Sequence, residues 1–224
     1  MDKGFLYYTD NSCQKRIMAA VCRQLNKCRN GAPLVSVSQS PMDFGANVVL
    51  PLQSSILSMF KQMLIGLILL DTKVVFCVEH DVLYHPSHFD FTPASDHIFY
   101  FNKNVWSVNS DTGEALHYDG MKKTSCLVAN RDLLIEHYTQ KIRTVEKDGW
   151  SNRIGFEPGK KRGNFEYFES ASPNIDIKHG KNLTRWRNKL SQYRCRARIK
   201  DSWILTDRVP HWGKTSEILR GMQC

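Results

Sequence analysis

The chain has 224 residues, 42% hydrophobic, 11% aromatic and 24% charged. That is globular composition with enough apolar material for a substantial core; it excludes global disorder and predicts one compact domain with at most a short appendage. Lys and Arg outnumber Asp and Glu by 31 to 22, a net charge of +9, and the excess is lopsided: residues 1–140 hold 12 basic and 13 acidic side chains, residues 141–224 hold 19 and 9. A basic end of this kind predicts a polyanionic partner or a phosphate-bearing substrate.

Seven cysteines (Cys13, Cys22, Cys28, Cys77, Cys126, Cys195 and Cys224) are scattered with no CxxC pair. Neither zinc-finger spacing nor a disulfide framework is present, so reduced thiols and a cytoplasmic location are expected. Met1–Leu6 lacks the basic and long apolar segments of a signal peptide. Met59–Leu70 is the most apolar stretch, but it is short and carries Lys61, so it reads as a core helix and no integral membrane segment is expected.

In chain order, Gly4–Tyr8 reads as a strand, followed by the capping-type residues Thr9-Asp10-Asn11-Ser12 and a helix whose Ile17, Ala20, Val21 and Leu25 recur at helical spacing up to Asn30-Gly31. Leu34–Ser38 is a second strand, Pro41–Gly45 a turn, and Ser54-Ser55 opens the helix that runs to about Leu70. Lys73–Val78 has no polar face and reads as a buried strand. Strand and helix alternation of this kind predicts a mostly parallel α/β sheet covered by helices on both faces, with its ligand beyond the carboxyl ends of the strands. After Asp81 the pattern becomes strand-rich: Ile98–Phe101, Val105–Val108 and Ala115–Tyr118, with turns at residues 102–104 and 110–113. Thr124–Ala129 feeds a helix over Arg131–Ile142. Residues 146–164 read as a long Gly-rich, charged loop, and Phe165–Phe168 and Asn174–Lys178 as short strands.

Glu79-His80-Asp81 follows the buried strand, and alternation lets the two carboxylates point the same way. Hard cations such as Mn²⁺ or Mg²⁺ take carboxylate oxygens together with diphosphate oxygens, which is the chemistry this strand end suits. His80, His85 and His88 also lie close in sequence, but Pro86 and the irregular spacing argue against a zinc site there.

The order of Gly45-Ala46-Asn47, the apolar helix, the strand VVFCV and then EHDVLY resembles the amino-terminal half of the GT-A nucleotide-sugar glycosyltransferases, of the family-2 type. That family places an Asp-x-Asp-type motif after such a strand, which here reads Glu79-His80-Asp81; Asp81 fits the more constant position and Glu79 departs from it. The resemblance continues through Ser125–Arg131, similar to the acceptor-side segment that ends in a basic residue. Beyond it stand Glu157, where inverting members carry their general base, and His179, where a strand-end His completes metal or diphosphate binding. Glu166 and Glu169 compete with Glu157 for the base, and pairing with Arg153, Lys160 or Lys161 is the structural alternative.

The resemblance implies a GT-A fold over residues 1–182, with 1–81 as the nucleotide-sugar-binding half and 82–182 as the acceptor half, and a basic extension over 183–224 packed on it. It implies a metal-dependent transfer from a nucleoside-diphosphate sugar to a hydroxyl, with Asp81, Glu79 and His179 on the metal. Tyr8, Thr9, Asp10, Asp43, Asn47 and His80 are the donor-side candidates, with Tyr8 either stacking on the base or belonging to the core.

Lys178–Lys200 contains nine basic residues and no acidic one, interleaved with Trp186 and Tyr193. Arg131, Lys181, Arg185, Arg187, Arg194 and Arg196 are therefore candidates for an acceptor or polyanion surface. The acceptor is expected to be a surface-glycan precursor or DNA bearing hydroxymethylated bases, as in modified viral DNA. The alternatives are a non-catalytic nucleic-acid-binding module and a sugar-nucleotide nucleotidyltransferase. The latter lacks support in Tyr8–Ser12, which has no glycine-rich phosphate loop.

Overall fold

The computed structural model describes residues 2–159 and 164–222. The first elements are β1 (Lys3–Thr9), α1 (Lys15–Cys28), β2 (Leu34–Ser38), β3 (Ala46–Val49), α2 (Ile56–Leu69), β4 (Val74–Glu79) and the short β5 (Val82–Leu83). They are followed by β6 (Phe99–Asn102), β7 (Val105–Asn109), β8 (Ala115–His117), β9 (Leu127–Asn130), α3 (Arg131–Asp148), β10 (Phe165–Phe168), β11 (Asn174–Lys178) and β12 (Ile204–Thr206). A central sheet in the order β10-β6-β9-β4-β1-β2-β3 lies beside a five-stranded sheet in the order β12-β8-β7-β11-β5. In the central sheet β1 pairs in parallel with both β2 and β4, and only β9 runs against its neighbours. The expected mixed, mostly parallel α/β architecture with helices on both faces is present.

The period of two along β1 and β4 explains why helices are needed on both faces. Phe5 and Tyr7 with Val74, Phe76 and Val78 pack against Ile17, Val21 and Leu25 of α1, together with Val108 and Ile177 of the second sheet. Their sequence neighbours Leu6, Tyr8, Val75 and Cys77 face the other way, onto Phe60, Met63 and Leu67 of α2 and Leu134 and Tyr138 of α3. Every one of these side chains leaves water, so neither face of the sheet tolerates solvent. Ser55 caps α2 by accepting from the Ser58 N–H at 3.0 Å, and Asn130 caps α3 by accepting from Asp132 and Leu133.

Three local expectations are corrected. Thr9–Ser12 do not cap α1, whose N-cap is Gln14 with no side-chain bond; the side chains of Thr9 and Asp10 instead accept from Asn11 N and Ser12 N and fold the chain into a tight turn. The turn at 102–104 is not a hairpin, because β6 belongs to the central sheet and β7 to the second. β3 adds an edge strand in parallel to β2, in a stretch whose half-exposed ANVV pattern carries little strand signal.

Gly66 on α2 lets that helix lie directly on β1: a Cβ there would sit 2.2 Å from Leu6 Cδ1 and 3.0 Å from Val37 Cγ2, both on fully buried side chains. Gly66→Val is expected to destabilise the fold by about 1–3 kcal/mol through overpacking. In a thermal melt that corresponds to roughly 2–4 °C per kcal/mol for a chain of this size.

Candidate active site

Parallel register sets the position of the site. Tyr8 lies opposite Glu79, and Thr9 opposite Ser38, so β1, β2 and β4 end at one edge of the sheet. The second sheet is attached at the same edge: Ile175 and Asp176 of β11 pair with Leu83 and Val82 of β5, and the Ile177 N–H donates to the Asp81 carbonyl at 2.8 Å. β11 therefore ends beside β4, and His179 is delivered to Asp81. The result is a cavity of about 730 Å³.

Asp81 is 6% exposed and His179 5%. Asn182 Nδ2 donates to Asp81 Oδ2 at 2.6 Å, while Asn182 Oδ1 accepts from the His179 N–H at 2.7 Å. His179 Nε2 is 3.7 Å from Asp81 Oδ2. Asp81 Oδ1 and both ring nitrogens of His179 are buried without a hydrogen-bond partner. Buried polar atoms are ordinarily satisfied, so an unpartnered carboxylate oxygen on Asp81 and unpartnered ring nitrogens on the neighbouring His179 fit a bound cation. Cys13 Sγ, a His80 ring nitrogen and a His179 ring nitrogen lie within 4.8 Å of one another. Burial first, and then the Asp81 charge, push the Cys13 thiol up to about 12.

Glu79 accepts a short hydrogen bond from the Tyr8 hydroxyl, and its backbone N–H donates to Tyr84 Oη at 3.0 Å. Tyr84 in turn donates to the Ser125 carbonyl at 2.9 Å, tying the end of β4 to the entry of β9. Burial, reinforced by the neighbouring Asp81 charge, raises the Glu79 carboxyl to about 8 despite the Tyr8 bond. Tyr8 lines the cavity and is 4% exposed. Its ring belongs to the core packed against α2, so the stacking face expected for a donor base is not available.

The other donor-side candidates divide. Thr9, Asp10 and His80 line the cavity, whereas Asp43 and Asn47 do not. Asp10 accepts from Ser12 N and from Ser54 Oγ at 2.7 Å; burial opposes ionisation, yet these bonds and His80 bring its carboxyl below the usual range. Asp43 is exposed on the β2–β3 loop. Asn47 is a structural pin, donating to Ser36 Oγ and Ser38 Oγ at 2.9 Å.

Glu157 lines the cavity. Its loop is held by two lysines: Lys141 donates to the carbonyls of Gly155 and Phe156, and Lys122 to those of Pro158 and Gly159. Burial raises the Glu157 carboxyl against the pull of nearby Lys141, Lys122 and Lys123. Glu166 is exposed, and Glu169 is paired with Lys103 at 2.7 Å; neither reaches the cavity. Lys160 and Lys161 lie outside the described residues.

Arg131 lies at the edge of the sheet opposite the cavity. β9 is antiparallel, with Asn130 opposite Val74 at the start of β4, so the strand enters at the cavity through Thr124 and Ser125 and leaves at the far edge. There Arg131 donates to the Leu70 carbonyl and faces Asp71 and Asp132. Of the basic segment, Lys181, Arg185 and Arg187 line the cavity, while Arg194 and Arg196 are exposed outside it. β12 pairs with β8, and Trp203 stacks on Tyr118 with centroids 5.8 Å apart, fixing this segment over the second sheet.

Sequence reasoning missed Cys13, Asn182 and the triad Lys123–Asp176–Lys178. Both lysines donate to Asp176, Lys178 at 2.9 Å; burial opposes ionisation, but the two cations hold the Asp176 carboxyl well below its usual range. The period-two spacing of Asp176 and Lys178 in NIDIK was the available signal. His85 and His88 do not join His80: His88 is buried beside Asn102, and His85 bonds Ser87.

No family model matches the chain, and no curated protein matches it. Solved structures similar to it include a glycosyltransferase involved in the glycosylation of the major capsid of PBCV-1, at 8% identity and TM-score 0.48, covering 75% of this chain and 82% of that one. The bifunctional IspDF of Campylobacter jejuni gives 13% and 0.47, with 77% of this chain and 50% of that one. A mutant Drosophila β-1,4-galactosyltransferase 7 in complex with manganese, UDP-Gal and xylobiose gives 10% and 0.44, with 87% and 80%. Among the described residues no helix is long and apolar enough to cross a membrane, and the six cysteines are free.

The Glu79 carboxyl generates a pH prediction for the cation-free chain. Its folded value, about 8, lies above that of an exposed glutamate, so the folded state holds the extra proton between about pH 4.5 and 8 and this group's contribution to stability falls as pH rises through that window. Glu79→Gln keeps the acceptor for Tyr8 and is expected to flatten this decline in melts run with chelator. A mutant and a wild type whose midpoints fall in parallel would contradict it.

Proposed function

We propose that this chain is a GT-A-type glycosyltransferase that moves a sugar from a nucleoside diphosphate to a hydroxyl acceptor with the help of a divalent cation. The observation that carries this reading is the buried Asp81–His179 pair at the carboxyl edge of the parallel sheet, with Asp81 Oδ1 and both His179 ring nitrogens unpartnered and Glu157 on the wall of the same cavity. Such an edge is where doubly wound sheets bind nucleotides, and the motif order around Glu79-His80-Asp81 supports the assignment.

Asp81 and His179 would hold the cation, Mn²⁺ or Mg²⁺ on the family resemblance, with Glu79 behind them and the Asn182 side chain orienting both. When bound, the cation supplies Lewis-acid stabilisation of the charge that grows on the departing diphosphate. Thr9, Asp10 and His80 line the donor end. Lys178, raised by Asp176, Asp81 and Glu79 against the opposing effect of burial, keeps its positive charge at the cavity wall, and Lys181, Arg185 and Arg187 give the rim the sign a diphosphate requires.

Glu157 is the base. As the acceptor oxygen bonds to the anomeric carbon, its proton passes to the Glu157 carboxylate, and the bond from that carbon to the diphosphate breaks with its electron pair going to the diphosphate. A carboxyl raised by burial is the better proton acceptor near neutral pH. Tyr118 and Tyr193 line the cavity beside Arg185 and Arg187, a mixture of rings and cations suited to an acceptor such as a surface-glycan precursor or a hydroxymethylated base in DNA.

A thermal-shift panel of uridine, guanosine, cytidine and thymidine diphosphate sugars, with and without Mn²⁺, tests the reading. One donor is expected to stabilise the chain in a Mn²⁺-dependent way, and Asp81→Ala is expected to remove the shift; no response to any donor would overturn the proposal. Glu157→Gln should retain the donor shift and lose about 10²–10⁴ in turnover, and wild-type turnover would reject it as the base. Neutralising Arg185 and Arg187 together should lower the slope of log affinity against log salt by about 0.9 for each phosphate that is no longer neutralised, if duplex DNA is the acceptor.

A further inference from the structure

The cation site contains a donor that neither the motif nor a hard-ion site requires. Cys13 sits in the turn before α1, 5% exposed, with its Sγ donating to the His80 carbonyl at 3.8 Å. It shares one spot with a His80 ring nitrogen and a His179 ring nitrogen, all within 4.8 Å of one another. Thr9 Oγ1 lies 2.7 Å from His80 Nδ1 and fixes that ring, leaving Nε2 as its remaining donor. Both nitrogens of His179 and Oδ1 of Asp81 are buried and unpartnered. The His80 and His179 rings are tilted at 56° with centroids 6.0 Å apart. A thiol and two imidazoles are ligand types of zinc-class transition ions, whereas Mg²⁺ takes oxygen and keeps its water.

We propose that Cys13 is a thiolate ligand of the cation, together with His80 and His179, so that this site selects a zinc-class ion such as Zn²⁺ or Co²⁺ over Mg²⁺. The inference rests on the location of the metal in the transferase reading and changes its ligand set and its ion. Binding is a balanced exchange: the sulfur–proton bond of Cys13 breaks, the proton goes to solvent, and the sulfur lone pair bonds to the ion with no change in oxidation state. The three ligands come from the first loop, the end of β4 and the end of β11, which is why the absence of CxxC spacing conceals the site.

The test is a Co²⁺ titration of the full chain after chelator treatment, followed optically. The expected result is a near-ultraviolet thiolate-to-cobalt band with visible bands of a low-coordinate ion, lost to stoichiometric Zn²⁺ but retained in millimolar Mg²⁺. Cys13→Ser should abolish the near-ultraviolet band and weaken Co²⁺ binding by at least ~100-fold, since loss of an outer-shell partner alone costs about 10–100-fold. A wild type without the thiolate band, or one whose Co²⁺ is displaced as readily by Mg²⁺ as by Zn²⁺, would overturn the inference; both readouts use the unmutated chain and do not depend on the variant folding. If the band is absent while a sugar nucleotide still binds with Mn²⁺, the ligand assignment alone falls. If the band is present while no sugar nucleotide binds with any ion, the thiolate site stands and the transferase reading falls.

Discussion

The arrangement depends on how the second sheet is fastened to the first. The Ile177 N–H to Asp81 carbonyl bond and the two residue pairs between β5 and β11 bring the end of β11 alongside the end of β4. Without that junction His179, Asn182 and Lys178 have no reason to be near Asp81, and the edge of the parallel sheet is merely a row of polar loops. With it, a carboxylate and an imidazole separated by 98 positions in the chain become neighbours 3.7 Å apart.

The junction is sealed by apolar packing. Val82, Leu83 and Tyr84 belong to the same buried cluster as Ile175 and Ile177, so the residues that follow Asp81 are held in place by their own burial. Tyr84 then uses its hydroxyl twice, toward Glu79 N and Ser125 O, which satisfies a buried polar group and fixes the cavity wall. Beside this framework Asp81 Oδ1 and both ring nitrogens of His179 remain buried without a hydrogen-bond partner.

Electrostatically the cavity has two regimes. At its base, Glu79, Asp81 and Asp176 are crowded together and balanced by Lys123 and Lys178, so burial and like charge raise Glu79 while the lysines lower Asp176. At the rim, Lys181, Arg185 and Arg187 are solvated and unopposed by acidic residues within their own stretch of chain. Carboxylates and lysines thus balance each other at the base, while the rim carries unopposed positive charge. Glu157 stands apart from both, because its loop is anchored from below by Lys141 and Lys122 through backbone carbonyls.

Local pattern alone determined the strands and the long helices: the apolar run of β4, the helical spacing of α1 and the Ser55 cap of α2 each carry a short-range physical signal. It also marked Glu79 and Asp81 as carboxylates at the end of a buried strand, whereas Glu157 and His179 stood out only through the resemblance in motif order. What it left open was every relationship made across the fold. Arg131 ends a basic-tipped strand in the sequence, yet the antiparallel direction of β9 sends it to the opposite edge of the sheet. Tyr8 sits beside polar loop residues, yet the period of two turns its ring into the core. Cys13 is one of seven scattered thiols until parallel pairing and the β5–β11 junction bring it to two histidines. Strand direction and sheet-to-sheet contact are set by which buried surfaces fit together, and that is a property of the packed chain rather than of any segment of it.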